Sequence, residues 1–115
     1  VSNVEKYNIH IYEGETWGMN LALYDDNDDP VLLTGYTAKM QIRDRPGGTV
    51  FKTIDNTSGI TVNEAYGELD LFLSAEETAE FNFKKASYDI FIYSPADEAV
   101  PILCGDVIVE RRITE

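Results

Sequence analysis

One histidine, one cysteine and twenty-one carboxylates are the groups in this sequence with acid–base, nucleophilic or metal-binding chemistry to offer. A hydrolase triad needs a base beside a nucleophile, and His10 stands on an alternating stretch with no Ser, Cys or carboxylate pair marked for it. A structural zinc site needs four ligands, which His10 and Cys104 together do not supply. The glycine fingerprint of dinucleotide binding, the phosphate-binding P-loop and the His-Glu-x-x-His zinc helix are all missing from the sequence. A glycosidase would need two carboxylates held at a set separation across a cleft, and no spacing marks such a pair. The expectation is a chain without catalytic residues, metal or cofactor.

Calcium is the one metal with a partial signal. Asp25-Asp26-Asn27-Asp28-Asp29 opens like an EF-hand loop, but Pro30 occupies the position that requires Gly, and Tyr36 that of the bidentate Glu. The stretch reads as a solvated hairpin turn, with weak loop-only calcium binding as the alternative. Cys104 lies in the apolar run Val100 to Cys104. A single cysteine makes no intrachain disulfide, and a core thiol in a protein folded in the cytosol is expected.

Contact chemistry is better represented. Seven Tyr and one Trp are present. Trp17 shares a phase with Met19, Leu21 and Leu23 and is expected in the core, whereas Tyr12, Tyr24 and Tyr93 fall on the outward phase of their strands. Outward tyrosines suit protein or glycan contact, because the ring supplies area at little entropic cost, and they equally suit a second sheet layer. The candidate interface residues are Tyr7, Tyr12, Tyr24 and Tyr93, with Arg43, Arg45, Arg111 and Arg112 as the cations that an acidic surface would need at a contact.

These residues must be positioned by strands. Tyr7 to Tyr12, Thr16 to Tyr24, Val31 to Leu33, Tyr36 to Arg43, Thr49 to Ile54, Ile60 to Val62, Glu68 to Leu73, Ala86 to Tyr93 and Val100 to Arg112 read as extended pieces, most with apolar residues at every second position. Ala38, Met40 and Ile42 define one inward row, and Leu69, Leu71 and Leu73 another. Tyr7, Ile9 and Ile11 form the inward row of the first strand. The turn Asp44-Arg45-Pro46-Gly47-Gly48 reverses the chain, and Gly35, Gly59, Gly67 and Gly105 are expected at turns or strand ends. Ser74-Ala75-Glu76-Glu77 matches a capping box, predicting a short helix over 75–81 that sets Phe81 and Phe83 over the open end of the sheets. About eight short strands and one small helix leave no room for a βαβ crossover. The prediction is an all-β, two-sheet antiparallel β-sandwich of immunoglobulin-like type, one domain over residues 5–114.

The formal net charge is −12. It repels phosphate backbones and anionic membranes, and only Lys84-Lys85 and Arg111-Arg112 are adjacent cations, so neither nucleic acid nor membrane is an expected partner. No apolar run approaches the ~20 residues that span a bilayer. Val1 to Lys6 carry neither the basic nor the apolar part of a leader, so none is expected there.

Four blocks, in order, carry a likeness. They are Gly14-Glu15-Thr16 before an alternating strand, and Pro30 to Arg43 with its Leu33-Thr34-Gly35-Tyr36-Thr37-Ala38. Then come Ser58-Gly59-Ile60-Thr61-Val62 with Gly67-Glu68-Leu69-Asp70-Leu71 and Ser74 to Thr78, and finally Tyr88-Asp89-Ile90 with Gly105 to Val109 and a closing Thr114. In these the chain resembles the small immunoglobulin-like proteins of bacteriophage tails, related to the N-terminal domain of phage baseplate upper proteins. The resemblance implies a non-enzymatic structural protein of the virion tail, assembled in the host cytoplasm. It implies a homo-oligomer in contact with other phage tail proteins of the tube or fibre, in a collar, tube decoration or baseplate, and either a stand-alone subunit or an excised domain. It transfers no active residue. A carbohydrate-binding module for the host surface is the alternative that the aromatic residues raise. For self-association, the edges of Tyr7 to Tyr12 and of Asp106 to Arg112 are the expected pairing strands.

Overall fold

The period-two stretches become strands wherever their apolar phase has a second layer to pack on. The computed structural model describes residues 5–111, and Arg112 and Thr114 lie outside them. The described strands are β1 (Glu5–Lys6), β2 (Ile9–Tyr12), β3 (Trp17–Ala22), β4 (Thr37–Arg43) and β5 (Val50–Asp55). They continue with β6 (Ile60–Asn63), β7 (Glu68–Leu73), β8 (Lys85–Tyr93) and β9 (Ala99–Glu110), and helix α1 (Ala75–Ala79) sits between β7 and β8. One six-stranded sheet has the order β1-β9-β8-β4-β5, with β2 also paired to β9, and a three-stranded sheet has the order β3-β7-β6. The protein is an all-β sandwich. Ala38, Met40 and Ile42 of β4 and Ile90 and Ile92 of β8 meet Leu69, Leu71 and Leu73 of β7 in its buried core.

Not every pairing is antiparallel. β1 and β2 run parallel to β9, with Ile9 beside Val107 and Ile11 beside Val109. Parallel partners need a long connection, and here nearly the whole domain lies between the two. The chain leaves β2 through a corner at Gly14 into the other sheet, so β2 has no hairpin partner and fills the open side of β9. The last strand therefore has neighbours on both sides, β8 and the β1–β2 pair, and is not the free edge the sequence suggested.

The first strand is also broken in two. Tyr7 donates its N–H to the Cys104 carbonyl at 2.8 Å, and Asp106 donates its N–H to Asn8 Oδ1 at 3.1 Å. The Tyr88 hydroxyl donates to the Tyr7 carbonyl at 2.6 Å. Burial, the largest cause, pushes the Tyr88 phenol far above its ordinary pKa and keeps it protonated as a donor. Gly105 sits inside β9 rather than at a strand end, because any Cβ there would collide with the Tyr7 carbonyl. The break takes Tyr7 out of the inward row it was expected to share with Ile9 and Ile11, and its side chain is exposed.

A register shift moves Cys104. Ile90 pairs with Leu103 but Phe91 pairs with Pro101, leaving Ile102 as an extra residue. Alternation from Val100 would have carried Cys104 inward. The bulge reverses the phase, so Leu103 is buried and Cys104 is half-buried on the outer face. The expected core thiol is corrected accordingly. Val31 to Leu33 forms no strand either; Tyr24 bridges Pro30, and Leu33 is buried with its N–H given to the Glu64 carbonyl at 3.1 Å.

The capping box forms as the spacing predicts. The Glu77 N–H reaches Ser74 Oγ at 3.1 Å, and the Ser74 N–H reaches Glu77 Oε1 at 2.8 Å. The helix ends at Ala79, and Phe81 follows it into the core, tilted against Phe83, which stacks on Phe51 at 4.8 Å. Lys52 Nζ lies 2.8 Å from Glu77 Oε2. That bond from Lys52, followed by the one from the Ser74 backbone, holds the Glu77 carboxyl below its ordinary value of 4.5. A depressed folded pKa contributes stability that is present above pH 4.5 and lost as pH falls below it. Chemical denaturation across an acid series is expected to show a steeper loss below that pH in the wild type than in Glu77→Gln.

Candidate functional site

The groups with catalytic potential are dispersed. His10 Nδ1 and Glu110 Oε2 form an exposed pair at 3.1 Å on the neighbouring strands β2 and β9. Among the described residues, no group of three or more His, Cys, Asp or Glu is placed to hold a metal ion. In the acidic turn, Asp25 Oδ1 accepts the N–H groups of Asn27 at 2.9 Å and Asp29 at 3.0 Å, and Asp28 takes the left-handed conformation. The first carboxylate of that loop is thus directed onto its own backbone, as in an Asx turn. A cavity of about 340 Å3 on the outer face of the large sheet is lined by Lys6, Arg43, Asp89, Cys104 and Asp106 around the Gly105 contact.

The candidate contact residues do not converge either. Arg43 donates to the Gly48 carbonyl at 3.0 Å and to Gln41 Oε1 at 2.6 Å, so its guanidinium braces the Pro46 turn. Arg45 is exposed, 3.5 Å from Asp44. Tyr93 is half-buried, stacked on Phe91 at 6.3 Å, with Lys39 Nζ 5.8 Å from its ring centre. Arg43 and Tyr93 lie at opposite ends of the β4–β8 ladder, opposite Ser87 and Thr37 respectively. Tyr7, Tyr12 and Tyr24 are exposed, the first two along the β1–β2 edge and the third on the loop after β3. Arg111 is exposed just beyond β9, and Arg112 lies outside the described residues.

What the fold does bring together is a cleft that no single stretch of sequence marks. The corner between β2 and β3 carries the chain from the large sheet to the small one, and Thr78 of α1 ties it. Thr78 Oγ1 donates to the Glu15 carbonyl at 2.8 Å and accepts the Gly14 N–H at 3.1 Å. From that corner the outermost strands of the two sheets, β1 and β3, border a groove between the layers. Its inner arm, about 290 Å3, is lined by Glu5, Lys6 and Tyr7 on one side and Met19, Asn20 and Leu21 on the other, with Leu103 between them. Its outer arm, about 580 Å3, runs from Glu5 past Ala22, Leu23 and Tyr24 to Ile92, Val100 and Pro101.

Half-burial is the distinguishing property of this wall. Trp17, Met19, Leu21 and Leu23 carry the core-facing phase, as the alternation predicts, yet all four are only half-buried. Leu69, Leu71 and Leu73, their neighbours on β7, are fully buried. The layer beneath β3 is therefore incomplete on its outer side. Among the described residues, a three-stranded sheet laid over a six-stranded one leaves this flank uncovered.

No known protein family and no curated protein matches this sequence. The geometry therefore stands by itself. It offers a half-covered apolar groove, strand edges in both sheets, and exposed rings at Tyr7, Tyr24 and Tyr66. Sequence reasoning missed Glu5, Ala22, Val100 and Pro101 as a set, because they come from three separate strands, β1, β3 and β9.

Proposed function

We propose that this chain is a non-enzymatic structural component of a bacteriophage tail, acting through protein–protein contacts in a collar, tube decoration or baseplate and fibre attachment. The observation that carries this reading is where the blocks of the resemblance fall. Gly14-Glu15-Thr16 makes the corner between the sheets. Leu33-Thr34-Gly35 makes an exposed turn anchored by the buried Leu33, with the Tyr36 N–H returned to the Leu33 carbonyl at 3.0 Å. Gly59 and Gly67 sit where a Cβ would meet neighbouring atoms, Ser74 to Thr78 is the capped helix, and Gly105 is the contact under Tyr7. The blocks thus supply turns, the helix cap and close backbone contacts of one sandwich, with their remaining residues in its strands, which supports a shared fold with that group of tail modules.

A sandwich of this kind works in an assembly through its edges and faces. β5, β3 and β6 are outermost strands of their sheets, and edge strands offer unpaired N–H and C=O groups to a neighbour. Contacts between copies must overcome a charge of −12 on each, and Arg45 and Arg111 are exposed cations able to cross such a contact.

The test is solution mass by light scattering across a concentration series. A discrete closed multimer is expected, weakened when Arg111 and Arg112 are both changed to Glu. A monomer at every concentration, also in the presence of tail tube protein, would overturn the reading. Exposed Tyr24 and Tyr66, brought to one end of the domain by the Leu23–Gly67 backbone bond of 2.8 Å, favour the second reading of a glycan-binding module. Calorimetry against host-surface glycans, with and without chelator, separates the two.

A further inference from the structure

We infer that the cleft between β1 and β3 is a strand-accepting site, whose occupant is an extended, basic segment of a partner polypeptide lying along the outer edge of β3. The inference deepens the assembly reading, and rests on it only in expecting a protein partner.

Three observations carry it. First, β3 is an outermost strand, and its core-facing side chains Trp17, Met19 and Leu21 are half-buried beside the fully buried row of β7. A strand added on the outer side of β3 would cover those side chains and pair the edge groups at the same time, which is how strand addition combines affinity with selection of alternate residues. Second, the dimensions suit a strand. β3 has six residues, and at ~3.4 Å per residue its edge spans about 20 Å, the length of an ordinary strand. The groove beside it continues past Leu23 to Tyr24, where an exposed ring is positioned to pack on an incoming chain.

The third observation is charge, and it selects the occupant. Glu5 lines both arms of the groove, and the exposed Asp25, Asp26, Asp28 and Asp29 stand on the turn directly after Tyr24, which lines the outer arm. Lys6 is the one cation among the lining residues of either arm. A second copy would bring another charge of −12 to this acidic mouth, so like-charge repulsion disfavours it. A segment alternating apolar residues with Lys or Arg satisfies both the groove and its rim.

Panning a random dodecapeptide display library against the whole chain tests this directly, followed by amide hydrogen exchange with the enriched peptides. The expected result is enrichment of basic, alternating sequences that bind saturably and protect amides between Trp17 and Tyr24. Glu5→Lys, at an exposed position, is expected to weaken them about tenfold while leaving thermal unfolding of the free chain unchanged. The inference is overturned if no peptide is enriched, if enriched peptides are acidic, or if they leave the amides of β3 unprotected. Self-association that protects the same amides without peptide also overturns it, in favour of a second copy. A closed multimer that survives Glu5→Lys would leave the assembly reading standing while any of those outcomes removed the cleft.

Discussion

Replacing Gly67 with alanine is expected to destabilise the domain by about 3 kcal/mol, summing the cost of a left-handed residue and of crowding a packed site. Gly67 has φ +64°, and a Cβ on it would stand 2.5 Å from the Val31 carbonyl oxygen, 2.9 Å from the Val31 nitrogen and 3.0 Å from the Leu23 carbonyl oxygen. All three are backbone atoms that are already engaged or enclosed. The Leu23 N–H donates to the Gly67 carbonyl at 2.8 Å, and the Val31 N–H donates to the Leu23 carbonyl at 3.0 Å. Nothing flexible is available to yield, so three segments must shift together. Gly14 supplies the comparison, because it has φ +83° but open space around its missing Cβ. Gly14→Ala should carry only the conformational cost, about 1 kcal/mol. Thermal unfolding followed by circular dichroism should place Gly67→Ala on the order of 10–15 °C below the wild type, with Gly14→Ala much closer to it. Equal shifts in the two variants would mean that the backbone crowding at Gly67 has no energetic weight.

The same contrast explains what could be read from the sequence. Local patterns were legible where one element decides its own phase. The rows Ala38-Met40-Ile42 and Leu69-Leu71-Leu73 are buried as alternation requires, and the Ser74–Glu77 box forms at its spacing. What was not legible depends on contacts far apart in the chain. The parallel pairing of β2 with β9 joins Ile9 to Val107, and nothing within either strand announces its partner. The bulge at Ile102 reverses the phase of Cys104, yet it is fixed by Ile90 and Phe91 on another strand. Tyr7 left its expected inward row because Gly105 lets its carbonyl approach β9 and Tyr88 supplies a hydroxyl to receive it.

The candidate site follows the same rule more severely. Arg43 reads as a free surface cation in the sequence, but the turn that brings Gly48 back beside it gives its guanidinium a structural partner. Trp17, Met19, Leu21 and Leu23 read as core, and their phase is right. Their half-burial is a property of how many strands cover them, which is a count over the whole sheet rather than a pattern in β3. The cleft is therefore invisible to periodicity while being a direct consequence of a three-strand layer on a six-strand one.

The corner between β2 and β3 rests on one hydroxyl, and removing it is expected to cost about 2 kcal/mol, two part-buried hydrogen bonds at roughly 1 kcal/mol each. Thr78 is fully buried, the one buried polar residue among those described. Its Oγ1 accepts the Gly14 N–H and donates to the Glu15 carbonyl, with the Ala75 carbonyl at 3.2 Å as a second acceptor. Thr78→Val keeps the shape and the β-branch but offers neither donor nor acceptor, so packing is preserved while the corner loses its tie. Thr78→Ser keeps the oxygen and loses only a methyl group, at about 1 kcal/mol. Urea unfolding is expected to rank the valine variant below the serine variant, and amide exchange at Gly14 should accelerate in valine alone. The reverse ranking would mean that the methyl group, not the hydroxyl, holds α1 to the corner. Because β2 and β3 diverge from this point, the valine variant should also loosen the spacing between β1 and β3. Any ligand of the groove would then bind it more weakly, even though Thr78 is not among the residues that line it. Stability of the corner and shape of the cleft are in this way one property, set by a helix of five residues placed where a capping box puts it.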